Sequence, residues 1–299
     1  FICSLEGKKT NDIISKALNI LTCLEHRGAV SSDGRTGDGA GILIEIPDIF
    51  FKKECKFNLP EFKEYAVGMV FLPPKKNQLN YCVDIFEEEI KRQGLNILGW
   101  RDVPVNSKVV GAIASQSQPN IKQVFIGKND PNQTEKDFLL RLYISRKISE
   151  NRIYQSKLSQ RSFFYFSSLH NKTIIYKGLL IPEDIERFYI DLKNPMLVTR
   201  LALVHQRFST NTFPTWDLAQ PFRYMCHNGE INTLKGNINR MISRQELMDS
   251  ELIDKEDLEK IFPIILPGKS DSASMDMVLE LLLCLLYTSD AADDVECVY

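Results

Sequence analysis

The candidate β-strands of this chain come in adjacent groups, and their order constrains the fold more than any other feature of the sequence. Short runs rich in Val, Ile, Phe and Tyr, bounded by Gly, Asn or Asp, predict the strands. They are residues 42–46, 65–72, 95–99, 108–113, 121–126, 163–169, 173–178 and 196–208. Helices do not alternate regularly with them, as they would in a parallel sheet. The order therefore predicts an α+β fold in which helices cover antiparallel sheets.

Apolar residues at helical spacing predict the helices that would cover these sheets. The predicted helices are residues 11–25, 79–93, 134–146, 236–248 and 273–283. Thr10 or Asn11 can cap the first of them, and Gly94 closes the second. With 299 residues, the chain is long enough for one large domain with a substantial core.

The charge balance bears on which partners the chain could bind, and the cysteines bear on the compartment in which it is found. The chain has 37 Lys and Arg residues against 39 Asp and Glu residues, a formal net charge of −2. Such a near-neutral chain gives no electrostatic reason to expect nucleic acid or an anionic membrane as partner. No apolar run reaches the ~18 residues of a membrane span. The seven cysteines are odd in number and form no CxxC pair, which favours reduced thiols and a cytoplasmic location, or a plastid in a photosynthetic eukaryote.

The end of the chain differs in character from what precedes it. An apolar helix start at residues 277–283 is followed by the string CLLYTSDAAD at residues 284–293. This string resembles a translated sequencing adapter joined to a truncated gene. We therefore expect residues 1–283 to form the domain and residues 284–299 to be a non-native tail. The alternative is a genuine transition from helix to loop.

Several polar segments hold the residue types that could carry chemistry. They are residues 25–29 with 36–41, 205–212, 226–233 and 270–274. Arg207 follows a strong predicted strand and can offer a two-pronged donor to a carboxylate. The Ser, Thr and Asn residues after it suggest the floor of a polar pocket. For Arg207 taken alone, a surface salt bridge is the alternative.

Two further positions have both a structural and a functional interpretation. Asn228 and Gly229 can form an ordinary type I′ turn. Their side-chain amide and backbone N–H can instead converge on one developing oxyanion, and glycine lets the backbone approach a ligand closely. Asp271 can bind a substrate ammonium group or cap the helix that follows it. The residues alone favour the structural interpretation in both cases.

A metal site and a phosphate loop are weaker interpretations of these segments. Cys23 and His26 are three residues apart and Cys226 directly precedes His227, so the four could form a zinc site. Adjacent Cys and His side chains on a strand rarely point at one ion, and Cys23 lies near an apolar stripe. We therefore predict no metal site. Residues 37–41 lack the Lys-Ser/Thr ending of a P-loop and precede a strand.

Together the motifs resemble the class II, N-terminal-nucleophile glutamine amidotransferase domain of glutamate synthase. The resemblance covers most of residues 1–283 and is carried by LEHRGAV, TGDGAGIL, QRFSTNTFPTWDLAQPFRYMCHNGEINTLKGN and SDSASMD. The long segment from Gln206 to Asn237 is the most specific. The resemblance implies a four-layer αββα sandwich of two antiparallel sheets.

The resemblance also implies roles for particular residues. Asn228 and Gly229 would form the oxyanion hole, Arg207 would hold the α-carboxylate of L-glutamine, and Asp271 would hold its α-ammonium group. Arg27 would line the pocket and order the loop near the nucleophile. Ser209, Thr210 and His227 would lie beside these groups in the substrate-binding site.

The implied chemistry is the release of ammonia from glutamine by a cysteine at the mature N-terminus, with the α-amino group as base. In the complete enzyme, a synthase domain of the same polypeptide would use this ammonia with 2-oxoglutarate, FMN and an iron–sulfur cluster. A small reductase subunit or ferredoxin would supply electrons. No cofactor is implied for the segment itself.

One departure from the family pattern concerns the nucleophile. In the family, Cys-Gly-Val-Gly precedes the Phe-Ile with which this chain opens, so we expect a chain that starts at Phe1 to be inactive. Cys3 is not expected to substitute, because no free α-amino group adjoins it; it should be a small core residue of the first strand. Another class II amidotransferase, making amino sugars, purines or asparagine, and a non-catalytic relative are the alternatives.

Overall fold

The computed structural model describes residues 1–207 and 212–284. The strands are β1 (Ile2–Cys3), β2 (Ala40–Glu45), β3 (Tyr65–Leu72), β4 (Leu95–Asp102), β5 (Asn120–Lys128), β6 (Tyr165–His170), β7 (Thr173–Gly178) and β8 (Leu201–Gln206). The helices are α1 (Asn11–Cys23), α2 (Asp48–Glu54), α3 (Lys76–Arg92), α4 (Ala112–Ser115), α5 (Glu135–Gln155), α6 (Asp184–Phe188), α7 (Leu234–Gln245), α8 (Lys255–Lys260) and α9 (Asp271–Cys284). No helix in the described ranges has the length and apolar character needed to cross a bilayer.

The described strands form two sheets, with the orders β1-β8-β2-β7 and β4-β5-β3-β6. All neighbouring strands within each sheet are antiparallel. This arrangement confirms the prediction of an α+β fold with two antiparallel sheets. Among the described strands, β4 and β5 are the one pair that is also consecutive in the chain, whereas β6 and β7, joined by a two-residue turn, lie in different sheets.

Side-chain alternation along β3 shows how the layers stack. Tyr65, Val67, Met69 and Phe71 belong to a core cluster that also contains Tyr176 of β7, so they face the other sheet. The intervening Ala66, Val70 and Leu72 belong to a second cluster with apolar residues of α3 and α5. Because α1 packs against β8 on the first sheet, the order of layers is helix, sheet, sheet, helix.

Three of the predicted elements differ from the structure. The strand predicted over residues 196–208 begins only at Leu201 and, as β8, ends at Gln206. It begins late because the Met196 and Leu197 amides donate to Asn194 in a turn.

Residues 108–113 form a 3₁₀ turn followed by the start of α4, where a strand was predicted. The reason is a contact with a distant segment: the Ile113 amide donates to the Asp33 carboxylate at 3.0 Å, and the Ala114 amide donates to the Thr36 hydroxyl at 3.1 Å. These contacts use the N–H groups that a neighbouring strand would otherwise take.

Helix α5 is longer than predicted and ends at Gln155 instead of residue 146. Its second half has no apolar periodicity because charged side chains are buried there in pairs. Arg146 contacts Glu150 at 2.6 Å and Glu280 of α9 at 2.5 Å. Burial through ion pairs is invisible to an analysis based on apolar spacing.

Candidate functional site

A cavity of about 710 Å³ opens where the C-terminal end of β8 meets the start of α9. The segment 227–234 and the short turn Glu25–Arg27 complete its walls. The cavity brings together six of the seven predicted site residues: Arg27, Arg207, His227, Asn228, Gly229 and Asp271. The seventh, Thr210, and its neighbour Ser209 lie outside the described residues.

Arg207 extends the end of β8 into the wall of the cavity. Its backbone amide donates to the Gly39 carbonyl at 2.8 Å, and its side chain is buried. Within the described ranges, the guanidinium Nη1 has no hydrogen-bond partner. Burial lowers the pKa of Arg207, while the carboxylates of Asp38, Asp217 and Asp271 oppose that shift. A buried guanidinium with donor capacity left over is suited to a ligand carboxylate.

Asp271 lies in the first turn of α9 rather than at its cap. The capping contact comes from Ser270, whose hydroxyl accepts the Ala273 amide at 3.2 Å, so the prediction that Asp271 caps this helix is wrong. The Asp271 carboxylate accepts the Ser272 amide at 2.6 Å and the Ile231 amide at 2.7 Å. It therefore joins α9 to the segment that follows Asn228 and Gly229, and also lines the cavity.

Asn228 and Gly229 lie in irregular backbone rather than in a β-hairpin. Neither residue has the positive φ angle that a type I′ turn needs at both central positions, so that interpretation is wrong. A Cβ atom at Gly229 would lie 3.0 Å from the His227 ring, a tight contact. The Gly229 amide points toward His227 Nδ1 at 3.4 Å. We call residues 227–229 the oxyanion turn, after the role that the family resemblance implies for Asn228 and Gly229.

Arg27 lies at the mouth of the cavity and is exposed. The turn that carries it packs closely on β8, because the Gln206 side chain donates to the Glu25 carbonyl at 3.3 Å. A Cβ atom at Gly28 would lie only 1.8 Å from Gln206 Nε2. A side chain at Gly28 would therefore displace the Gln206 amide from its contact with the turn.

His205 and Gln220 are among the cavity residues to which the sequence analysis gave no role, although His205 lies in one of its polar segments. His205 is 8% exposed and lies against Asn228 and the His227 backbone. Burial lowers the pKa of His205, opposed by the neighbouring Asn228 side chain and the His227 backbone. Its signal in the sequence was its spacing, because it lies two residues before Arg207 on one face of a strand.

The predictions for three cysteines have different outcomes. Cys3, predicted to be a core residue, is exposed, because β1 is a short strand at the edge of its sheet. Cys226, expected on a strand, lies in irregular backbone, and the residues that line the cavity do not include it. Cys23, the third, is exposed. In the described ranges, no three His, Cys, Asp or Glu side chains come together as metal ligands.

The fold and this site define a class of protein. The family model of class-II glutamine amidotransferases matches residues 1–292. The matched range includes every residue that lines the cavity. The chain belongs to the class-II glutamine amidotransferases.

Within that class, the chain is similar to glutamate synthases. It is 48% identical over 277 residues to the NADPH glutamate synthase large chain of Bacillus subtilis (strain 168), covering 92% of this chain and 18% of that protein. It is 45% identical over 296 residues to the NADH glutamate synthase of Saccharomyces cerevisiae (strain ATCC 204508 / S288c), covering 94% of this chain and 13% of that protein. It is 42% identical over 286 residues to the chloroplastic ferredoxin-dependent glutamate synthase 2 of Arabidopsis thaliana, covering 95% of this chain and 17% of that protein. The chain thus spans less than a fifth of the length of these relatives.

Proposed function

We propose that this chain is the glutaminase domain of a glutamate synthase, which releases ammonia from L-glutamine for transfer to 2-oxoglutarate. The observation that carries the proposal is the charge pattern of the cavity. Arg27 and Arg207 supply positive charge, while Glu230 and Asp271 supply negative charge. A site with both signs of charge suits a zwitterionic amino acid better than a simple anion or cation.

The proposed binding mode assigns each charged group of glutamine to one side chain. Arg207 would hold the α-carboxylate through its guanidinium group, and Asp271 would hold the α-ammonium group. The side-chain amide of glutamine would then point toward Asn228 and Gly229. Arg27 at the mouth, with Thr210 and His227 beside the site, would complete the pocket.

The register of β1 supports a place for the nucleophile. Ile2 pairs with Ala202 and Cys3 pairs with Leu201, so each step backward along β1 is one step forward along β8. A chain that kept this register would place the fourth residue before Phe1 opposite Arg207. In the family pattern that residue is the cysteine of Cys-Gly-Val-Gly. A nucleophile there would lie beside the cavity.

The proposed chemistry proceeds through a thioester. The cysteine thiolate attacks the carbonyl carbon of the glutamine side-chain amide, and the α-amino group of the same cysteine takes the thiol proton. The resulting oxyanion would accept hydrogen bonds from the Asn228 amide and the Gly229 N–H. When the tetrahedral intermediate collapses, the C–N bond breaks and the protonated nitrogen leaves as ammonia. Water then hydrolyses the thioester to glutamate and restores the thiol.

The remaining parts of the proposal lie outside this chain. An iron–sulfur cluster does not fit the described residues, where no three suitable ligands converge. The cluster and FMN would belong to a synthase domain, which would receive electrons from a small reductase subunit or ferredoxin. The cytoplasm or a plastid is the proposed location. Residues 284–299 are proposed to be non-native, although the family match extends to residue 292.

The test of the proposal is an assay of ammonia release from L-glutamine. Three chains are compared: one that starts at Phe1, one extended by Cys-Gly-Val-Gly before Phe1, and the extended chain with that cysteine changed to alanine. We expect ammonia release only from the chain extended by Cys-Gly-Val-Gly with its cysteine intact. A folded extended chain without glutaminase activity would favour a non-catalytic relative, and the proposal would fail.

A further inference from the structure

We propose that Gln220 is a positioning residue, which fixes the oxyanion turn by pairing with the backbone of His227. The catalytic consequence of this pairing rests on the proposed glutaminase function. The pairing itself does not depend on a substrate. The two parts can therefore be tested separately.

The contact between Gln220 and His227 has two hydrogen bonds. Gln220 Nε2 donates to the His227 carbonyl at 3.0 Å, and the His227 amide donates to Gln220 Oε1 at 2.9 Å. A primary amide has the same donor and acceptor as a peptide group. The Gln220 side chain therefore acts on His227 as a neighbouring strand would. Only 5% of Gln220 is exposed, so water competes little for these bonds.

The segment around the oxyanion turn has few other backbone contacts. With partners among the described residues, the segment 222–232 makes one backbone–backbone hydrogen bond. In it the Phe222 amide donates to the Met225 carbonyl at 2.9 Å. Helix α9 holds the two flanks: Asp276 accepts the Tyr224 amide at 2.8 Å, and Asp271 accepts the Ile231 amide. Between these flanks, Gln220 pairs with the His227 backbone, and the His227 ring lies 3.4 Å from the Ser272 hydroxyl of α9.

Gln220 itself is held against the first sheet. The buried Lys177 ammonium of β7 donates to the Asp217 carbonyl at 3.0 Å and to the Ala219 carbonyl at 2.7 Å. On β2, a Cβ atom at Gly41 would lie 2.6 Å from the Gln220 carbonyl oxygen, so the backbone passes close to the strand there. The position of Gln220 is thus set by two strands of the rigid sandwich.

These contacts form a continuous path from the sheet through Gln220 and His227 to Asn228. Oxyanion donors stabilise a transition state only when they are already placed where the charge develops. A displacement of about 1 Å can cost about a hundredfold in rate. Loss of the Gln220 contact should therefore loosen the turn and lower kcat, with little effect on the binding of the charged groups of glutamine.

Hydrogen–deuterium exchange tests the pairing in the 299-residue chain. We expect Gln220→Ala to speed exchange of the amides in residues 225–231 by about tenfold or more, with the strands unchanged. Gln245→Ala is the matched control, because Gln245 is also buried and accepts a backbone amide, that of Ile264, at 3.2 Å. It should leave residues 225–231 unchanged.

Unchanged exchange at residues 225–231 in a folded Gln220→Ala chain would overturn the pairing. If that chain does not fold, Gln220→Glu takes its place. The glutamate keeps an acceptor for the His227 amide and removes the donor to the His227 carbonyl. Faster exchange at residues 225–231 in this variant supports the pairing, and unchanged exchange overturns it.

Kinetics of the chain extended by Cys-Gly-Val-Gly test the catalytic consequence. Gln220→Ala should lower kcat about ten- to a hundredfold and change KM less than about threefold. In an Asn228→Ala background it should cost less than about threefold, because the group it positions is gone. A loss confined to KM, or equal costs in both backgrounds, would overturn the role. If the extended chain with Gln220 intact releases no ammonia, the glutaminase assignment fails, and the exchange result still decides the pairing.

Discussion

The carboxylate of Asp271 lies 2.7 Å from the Ile231 amide nitrogen, so a single side chain both ties α9 to the loop after the oxyanion turn and lines the cavity. A carboxylate held in this way loses little entropy when it binds a ligand. Its position in the first turn of α9 also favours negative charge there. The structural role of Asp271 and the ligand-binding role proposed for it can be separated by substitution.

Asp271→Asn should weaken glutamine binding while the fold is kept. An asparagine can keep its oxygen on the Ile231 amide, at the cost of the contact with the Ser272 amide, and it removes the charge proposed to face the α-ammonium group. The loss of a charged hydrogen bond, about 1.5–3 kcal/mol, corresponds to an affinity about ten- to a hundredfold lower. Titration calorimetry with L-glutamine on the chain that starts at Phe1 measures this without turnover.

The matched control for that substitution is Asp249→Asn. Asp249 also accepts the amide of the next residue, Ser250, at 3.0 Å, but it is exposed and lies outside the cavity lining. It should bind glutamine as the unchanged chain does. Equal affinities in all three chains would contradict the proposed role of Asp271.

Arg207→Lys should also weaken glutamine binding, even though the charge is kept. Lysine cannot present two parallel N–H donors to a carboxylate, and its shorter reach would leave the buried position of Arg207 poorly filled. We expect an affinity about tenfold or more lower by the same calorimetric titration. Arg200→Lys is the control, because Arg200 pairs with Glu45 at 2.9 Å away from the cavity. A similar loss in both variants would point to a general effect on the fold.

His170 should make the stability of the protein depend on pH below neutrality. Burial, and then the nearby Lys172 ammonium group, lower the pKa of His170 from 6.5 to about 4. The Lys172 amide donates to His170 Nδ1 at 2.9 Å, a bond that only the neutral ring accepts. Because the unfolded state binds the proton more tightly, this contribution is present above pH ~6.5 and is lost as the pH falls towards 4.

The size of that contribution is at most about 3 kcal/mol. Urea unfolding at pH values between 7 and 4.5 measures it, with His170→Asn as the comparison. The difference in the free energy of unfolding between the two chains should shrink as the pH falls. A constant difference for His170→Asn across this pH range would contradict the account.

The sequence predicted the sandwich and most of the site for different reasons. Strand grouping is a local property, so antiparallel pairing could be inferred from it. Arg207, Asn228, Gly229 and Asp271 could be named because they stand in long specific motifs. Taken singly, each of them favoured an ordinary structural role, and it is their convergence on one cavity that gives the functional interpretation its support.

What the sequence did not predict depends on contacts between distant segments. Gln220 resembles any polar loop residue until the fold brings its side chain against the His227 backbone. The ion pair of Arg146 with Glu280 joins α5 to α9, and it hides the second half of α5 from any analysis of apolar spacing. Asp33 turns residues 112–115 into a helix through a bond that spans 80 positions of the chain. Such side-chain contacts have no periodic signature.

The central claim is that the Asn228 and Gly229 donors act on the side-chain amide of glutamine. It is tested most directly with L-glutamine labelled with ¹⁵N at that amide and the chain extended by Cys-Gly-Val-Gly, following ¹⁵N-ammonium by NMR. We predict that the label appears as free ammonium, and that Asn228→Ala slows its release about a hundredfold or more while the affinity for glutamine changes little. Release at an undiminished rate from Asn228→Ala would contradict the account.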